Sequence, residues 1–162
     1  ASSTPVRGAP SVAAVRAIDA MAAGTSVTNL AGGTIDGTSN NAVLFSLGGT
    51  LNLPHAEVHT VVLPHAIAYN ATAAPESMQR IARALQRQDA AQGLYQLAKD
   101  NGAPYALRDL GMQEKDIDRI AHIAVQNPYW NPRPVNSAAE AALRSLLQRA
   151  WQGVPPVSTF QQ

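Results

Sequence analysis

The chain has 162 residues, 46% of them hydrophobic, which is enough for one domain with a genuine core and shows no sign of a second. A formal net charge of +1, a charged fraction of 14% and the lack of any Lys/Arg block give no electrostatic footprint for nucleic acid or an anionic membrane. The chain has no cysteine, which excludes disulfides, thiolate metal ligands and a cysteine nucleophile, and no apolar run approaches a bilayer span. A small, mostly neutral partner fits this balance better than a polyanion.

Abundant alanine with frequent Gln, Arg and Leu, and few β-branched runs, favours helix over strand, so the expected class is all-α. Ser11 can cap a helix over 12–23, with Val12, Val15, Ile18 and Ala22 as its apolar stripe and Gly24 as its end. The Gly, Thr, Ser and Asn of 25–39 read as loop and turns, and 40–47 as a short helix closed by Gly48 and Gly49. A helix beginning near Pro54 carries three of the four histidines. His55 and His59 fall one turn apart on one face, whereas His65 points to a different side of the cylinder, with Pro64 available to kink the helix before it.

Beyond it, Pro75 and Glu76 suit a first helical turn and start a helix expected to reach Gln88. The segment 90–101 forms another helix, stopped by Gly102 and Pro104, and 105–110 a short one ended by Gly111. In 114–126, Ile117, Ile120, Ala121 and Ala124 share a face, and His122 lies near the helix end. The Pro-rich stretch from Asn127 to Val135 cannot be regular helix, and Ser137 caps a last helix to Gln152. One helical domain over 1–162 results, with 1–10 and 154–162 extended or frayed. The chain opens on Ala1 without an initiator methionine, so its start reflects processing, an expression boundary or excision from something longer. Asn70-Ala71-Thr72 matches a glycosylation acceptor by chance, and the protein is expected to be cytoplasmic.

The segment from Leu47 to Asn70, LGGTLNLPHAEVHTVVLPHAIAYN, resembles the metal-binding helical domain of the iron-containing alcohol dehydrogenase superfamily, and within it the maleylacetate reductases. The similarity continues through Ala74 to Met78, Arg80 to Leu85, Gly102 to Pro104, Ala106 to Met112, Asn127 to Val135 and Ala150 to Gly153, in the family's order. That resemblance implies a catalytic divalent metal held by an Asp/His pair on an early helix and two further histidines, one before the LGG motif and one after a proline. Only the last is present, as His55. Counting back from Leu47, the family's histidine positions hold Asn40, Asn41 and Phe45, and residues 1–46 contain no histidine. A catalytic metal normally needs three protein ligands, so no metal is expected, with His55 the only surviving candidate ligand. The resemblance also implies NAD(P)H binding by a separate Rossmann-like domain. No strand, glycine-rich turn and helix in that order occurs here, so no cofactor is expected on this chain.

The groups left to carry chemistry are His55 and His59 as acid/base candidates, because imidazole titrates near neutrality. Buried structural histidines are the competing account, and it weighs most on His65. Glu57, midway between the pair, turns away from it. Arg133 can clamp a carboxylate or fix the Pro-rich loop by bonding backbone carbonyls. Tyr129 and Trp130 can stack on an unsaturated ligand or pack between helices, and Phe45 makes its pocket wall apolar.

These residues suit a small cofactor-free, metal-free enzyme carrying out an isomerase, lyase or cyclase reaction on an apolar unsaturated metabolite. The alternatives are the substrate-side domain of a maleylacetate reductase-type NAD(P)H-dependent oxidoreductase with a separate nucleotide-binding domain, and a non-catalytic assembly protein. A homo-oligomer, most simply a dimer, would cover apolar helix faces that a missing partner domain leaves bare.

Overall fold

The structure, a computed structural model, describes residues 47, 49–126 and 132–157, together with the backbone of 27–28 and 34–35. The helices expected over 12–23 and over most of 40–47 lie outside the described residues. Within the stretch read as turns, β1 (Val27–Thr28) and β2 (Thr34–Ile35) pair antiparallel, Val27 opposite Ile35 and Thr28 opposite Thr34. This ladder of two residues per strand leaves the fold all-α. Leu47 and 49–51 are helical, so Gly49 lies within a helix and does not end one as expected. The chain instead leaves it at Asn52, which takes a φ of 51°.

Helix α1 (His55–Asn70) is the centre of the molecule. Eleven of its 16 residues are buried, because its apolar residues face every direction and a helix hydrophobic all round must be covered all round. Val58, Val61, Val62, Ala66 and Tyr69 join a core with Leu107, Ile117, Ile120, Leu143 and Leu147. Ile67 and Ala68 join a second core with Ile81, Ala82, Ala90, Ala91 and Leu94. Each large side chain removed from water this way contributes roughly 1.5–3 kcal/mol before entropic costs.

Helix α2 (Pro75–Ala84) begins on proline, as its sequence suggests, but stops four residues short of Gln88. Gln86 adopts a φ of 55°, the Arg87 N–H donates to the Ala82 carbonyl at 2.9 Å and the Gln86 N–H to Arg83 at 3.1 Å. This is a Schellman cap with glutamine where glycine is usual, so the stop carries no glycine signal. Helix α3 (Ala90–Asp100) is capped by Asp89, whose carboxylate accepts the Gln92 N–H at 3.0 Å. Asp89→Ala is therefore expected to lower stability by about 1 kcal/mol, read as a lower urea midpoint with unchanged slope.

The short helix expected over 105–110 is a 3₁₀ turn, Leu107–Leu110, because Gly111 at φ 100° ends it after one turn. Helix α4 (Asp116–Gln126) starts two residues later than expected and buries Ile117, Ile120, Ala121 and Ala124, the face its spacing assigns. Ser137–Ala139 form a 3₁₀ turn leading into α5 (Glu140–Gln152), and Ser137 makes no side-chain cap. Residues 154–157 have no regular secondary structure but are tied down by their backbone carbonyls. Tyr95 donates to Gly153 at 2.7 Å, Gln92 to Pro156 at 2.5 Å, and Arg149 to Pro155 at 2.7 and 3.1 Å.

Among the described residues Tyr105 and Val157 are the large exposed hydrophobics. No described helix is long and apolar enough to cross a membrane.

Candidate functional site

Two constellations hold the chemically capable side chains. The first sits on the opening turns of α1. The spacing of four brings the Nε2 atoms of His55 and His59 to 3.0 Å, with the rings tilted by 59° and their centroids 4.4 Å apart. At that separation one nitrogen donates and the other accepts, so the pair shares a proton. His55 is exposed, whereas His59 is buried. Burial first, and the neighbouring His55 charge second, push the His59 pKa below the ordinary imidazole value. The inner ring is thereby held neutral at physiological pH and the outer one meets solvent, an arrangement able to pass a proton inward or outward.

Two imidazoles do not make a catalytic metal site. Among the described residues no group of three His, Asp or Glu side chains is placed to hold an ion, and the sequence has Asn40, Asn41 and Phe45 where the resemblance calls for histidine. The donor set does not fit the metal that the family resemblance implies. Glu57 is half-buried.

The second constellation is an open cleft of about 290 Å³ between α1 and α5. From α1 it takes His65, Ala68 and Tyr69, an i, i+3, i+4 face; from α5 it takes Ala142, Ser145, Leu146 and Arg149, an i, i+3, i+4, i+7 face. Arg133 and Val157 complete it. His65 is only 3% exposed, and its Nε2 has no hydrogen-bond partner among the described residues. Burial, reinforced by the Arg149 guanidinium, lowers its pKa to about 4. Arg133 stacks on Tyr69, its guanidinium carbon 4.4 Å from the ring centroid, and donates to the Tyr69 carbonyl at 3.5 Å. Its backbone N–H donates to the Asn70 side chain at 3.3 Å, and Tyr69 donates its hydroxyl to the Pro134 carbonyl at 2.9 Å. Burial raises the Tyr69 pKa, against the pull of Arg133.

Arg133 thus fastens its loop to the end of α1, as the structural account of it holds, and lines the cleft as well. His65, weighted most toward a structural role, is the one histidine in the cleft wall, while His55 and His59 are not in it. Asn70, the incidental glycosylation match, is a buried tie between helix and loop. Phe45, Tyr129 and Trp130 lie outside the described residues. His122 is on the surface, 3.6 Å from Glu140. Tyr69, Ser145 and Arg149 were not singled out from the sequence. The spacing of four between His65 and Tyr69 was a usable signal, but nothing local says that α5 packs across that face.

The chain matches the Fe-containing alcohol dehydrogenase family, C-terminal part, over residues 10–151. It is 49% identical over 124 residues to a maleylacetate reductase of Pseudomonas knackmussii, covering 76% of this chain and 34% of that protein. To a maleylacetate reductase of Burkholderia cepacia it is 51% identical over 111 residues, 68% of this chain and 31% of that one. Among solved structures it is similar to maleylacetate reductase from a Rhizobium species, with a TM-score of 0.68 at 42% identity over 77% of this chain and 34% of that chain. A putative alcohol dehydrogenase from Ralstonia eutropha gives a TM-score of 0.69 at 52% identity, over 78% and 35%. The chain spans about a third of the length of the curated relatives it matches. With a family match over residues 10–151 and relatives about half identical over most of the chain, this chain belongs to the iron-containing alcohol dehydrogenase family, as its C-terminal helical domain.

Proposed function

We propose that this chain acts as the substrate-side domain of a maleylacetate reductase-type oxidoreductase, with His55 and His59 delivering the proton that accompanies hydride transfer. Reduction of a double bond needs one hydride and one proton. A nicotinamide held by a nucleotide-binding domain outside this sequence supplies the hydride. Solvent-exposed His55 takes a proton from water and passes it through the 3.0 Å contact to His59, neutral and buried. His59 gives up the proton on its far nitrogen to the substrate as it receives the new one. The contact between the two imidazoles carries the proposal, since it gives a proton path without a third ligand or a metal. The relatives, which are reductases, favour this reading over a free-standing isomerase, lyase or cyclase. A cofactor-free reaction uses the same pair but draws no support from the relatives named above.

The test is a chimaera in which this chain replaces the corresponding domain of the Pseudomonas knackmussii reductase. Maleylacetate-dependent NADH oxidation is expected, with kcat reduced on the order of 10²-fold by His59→Ala and less by His55→Ala. A folded chimaera that binds NADH yet oxidises none sinks the reading. Full turnover in both variants removes the proton path.

A further inference from the structure

The dipeptide Asn-Gly occurs once in the chain, at Asn101-Gly102, and both residues are exposed at the end of α3. Asparagine followed by glycine is the pairing most open to attack by the next backbone nitrogen on the side-chain amide, because glycine has no Cβ to hinder it. This dipeptide shares no residue with the histidine pair or the cleft and does not depend on the reductase reading.

We propose that Asn101 is a deamidation site whose chemistry is gated by the C-cap of α3. In the reaction the Gly102 nitrogen loses its proton and bonds to Asn101 Cγ, and the side-chain nitrogen leaves as ammonia. One water then opens the succinimide. Aspartate results if the new Cγ–N bond breaks, and isoaspartate if the original peptide bond breaks.

The cap opposes each part of the first step. Asn101 Nδ2 donates to the Leu97 carbonyl at 2.8 Å, so the amide that must turn toward Gly102 is held back along the helix. The Gly102 N–H donates to the Lys99 carbonyl at 3.1 Å and the Ala103 N–H to Ala98 at 2.9 Å, the two bonds of a Schellman cap. A carbonyl therefore holds the proton that the nucleophile must lose to solvent. Asn101 has a ψ of 7°, which sets the Gly102 nitrogen beside the Asn101 backbone nitrogen. Ring closure needs it beside Cβ, and that rotation breaks both Schellman bonds. Reaction thus proceeds from a frayed end of α3, a local opening that leaves the rest of the fold intact.

Conversion also weakens the cap that delayed it. The product carboxylate has no hydrogen to donate to Leu97, stands next to Asp100, and adds negative charge at the negative end of the helix dipole. Isoaspartate further lengthens the main chain by one atom. The same turn carries Lys99, whose ammonium lies 5.4 Å from the Tyr95 ring centroid and 5.0 Å from that of Tyr105, so a loosened cap frees this contact.

The experiment follows the whole 162-residue chain in mildly alkaline buffer by peptide mass spectrometry, with and without concentrated urea. Asn136-Ser137 is the internal reference, because Asn136 is exposed, has an extended backbone and makes no side-chain cap hydrogen bond. In urea Asn101 is expected to convert faster than Asn136. Without urea it is expected to slow about tenfold or more relative to Asn136, because the hydrogen bonds of the cap must open together first. Lys99→Gly, which weakens the last turn without touching the reacting pair, should speed native conversion about fivefold and leave the rate in urea unchanged. Asn101→Asp should have a lower urea midpoint than Asn101→Ala, since it adds charge to the lost donor. Equal midpoints would remove the weakening of the cap by its own product. The gating fails if folding slows both sites by the same factor, if Asn136 converts first in urea, or if Lys99→Gly leaves the native rate where it was.

Discussion

Lowering the pH from 6.5 to 4 is expected to remove about 3 kcal/mol of folding stability through His65 alone. The ring has a folded-state pKa of about 4 against 6.5 for the free side chain. Between those values the unfolded chain binds a proton that the folded chain refuses, so stability falls as pH falls, by about 1.4 kcal/mol per unit. Above pH 6.5 the ring is neutral in both states and the full contribution is present. Below pH 4 both states are protonated and the loss is complete. The Arg149 guanidinium in the cleft wall reinforces this direction, and Tyr69 stays neutral at these pH values. His59, also lowered, adds a smaller loss of the same sign. Urea unfolding at a series of pH values isolates the His65 part as the difference between the native chain and His65→Leu. Parallel curves for the two proteins would rule the effect out.

Helix positions were largely legible in the sequence because α2 to α5 each have an apolar face at helical spacing, and α1 is a long apolar run opened by proline. The face of α4 was assigned from Ile117, Ile120, Ala121 and Ala124 alone, and all four are buried. Ends were legible where glycine marks them, as at Gly102 and Gly111, and not where Gln86 takes the left-handed conformation without it. The glycine rule failed in the other direction at Gly49, where the helix continues.

For the site, the contact between His55 and His59 follows directly from a spacing of four. The cleft does not, because it depends on which face of α1 meets α5, and that is a long-range packing outcome. The buried state of His65 was anticipated, but not that burial would leave its Nε2 without a hydrogen-bond partner among the described residues. Family order along the chain showed what helical framework to expect; only the packed molecule shows which polar groups it encloses.

Gly153→Ala is expected to cost about 2–5 kcal/mol. Gly153 has a φ of 73°, and a Cβ there would sit 2.7 Å from the Ala106 Cβ and 3.3 Å from the Tyr105 ring. The left-handed backbone costs a residue with a Cβ about 1–2 kcal/mol, and forcing apart well-packed neighbours adds about 1–3 kcal/mol. Ala106 is fully buried and cannot give way, and the Gly153 carbonyl is held by the Tyr95 hydroxyl, so the turn cannot slide either. Gly102→Ala supplies the control, since Gly102 has nearly the same φ, 71°, with nothing within 4 Å of an added Cβ. It should show the backbone cost alone. The difference between the two variants is therefore the steric clash, and Ala106→Gly combined with Gly153→Ala should recover most of it relative to Ala106→Gly by itself. Equal destabilisation by Gly102→Ala and Gly153→Ala, measured by denaturant midpoints, would show that the close approach of α5's end to Ala106 is not a constraint on the fold. If the constraint holds, the Gly153 turn fixes where residues 154–157 run, and with them the Arg149 and Val157 side of the cleft.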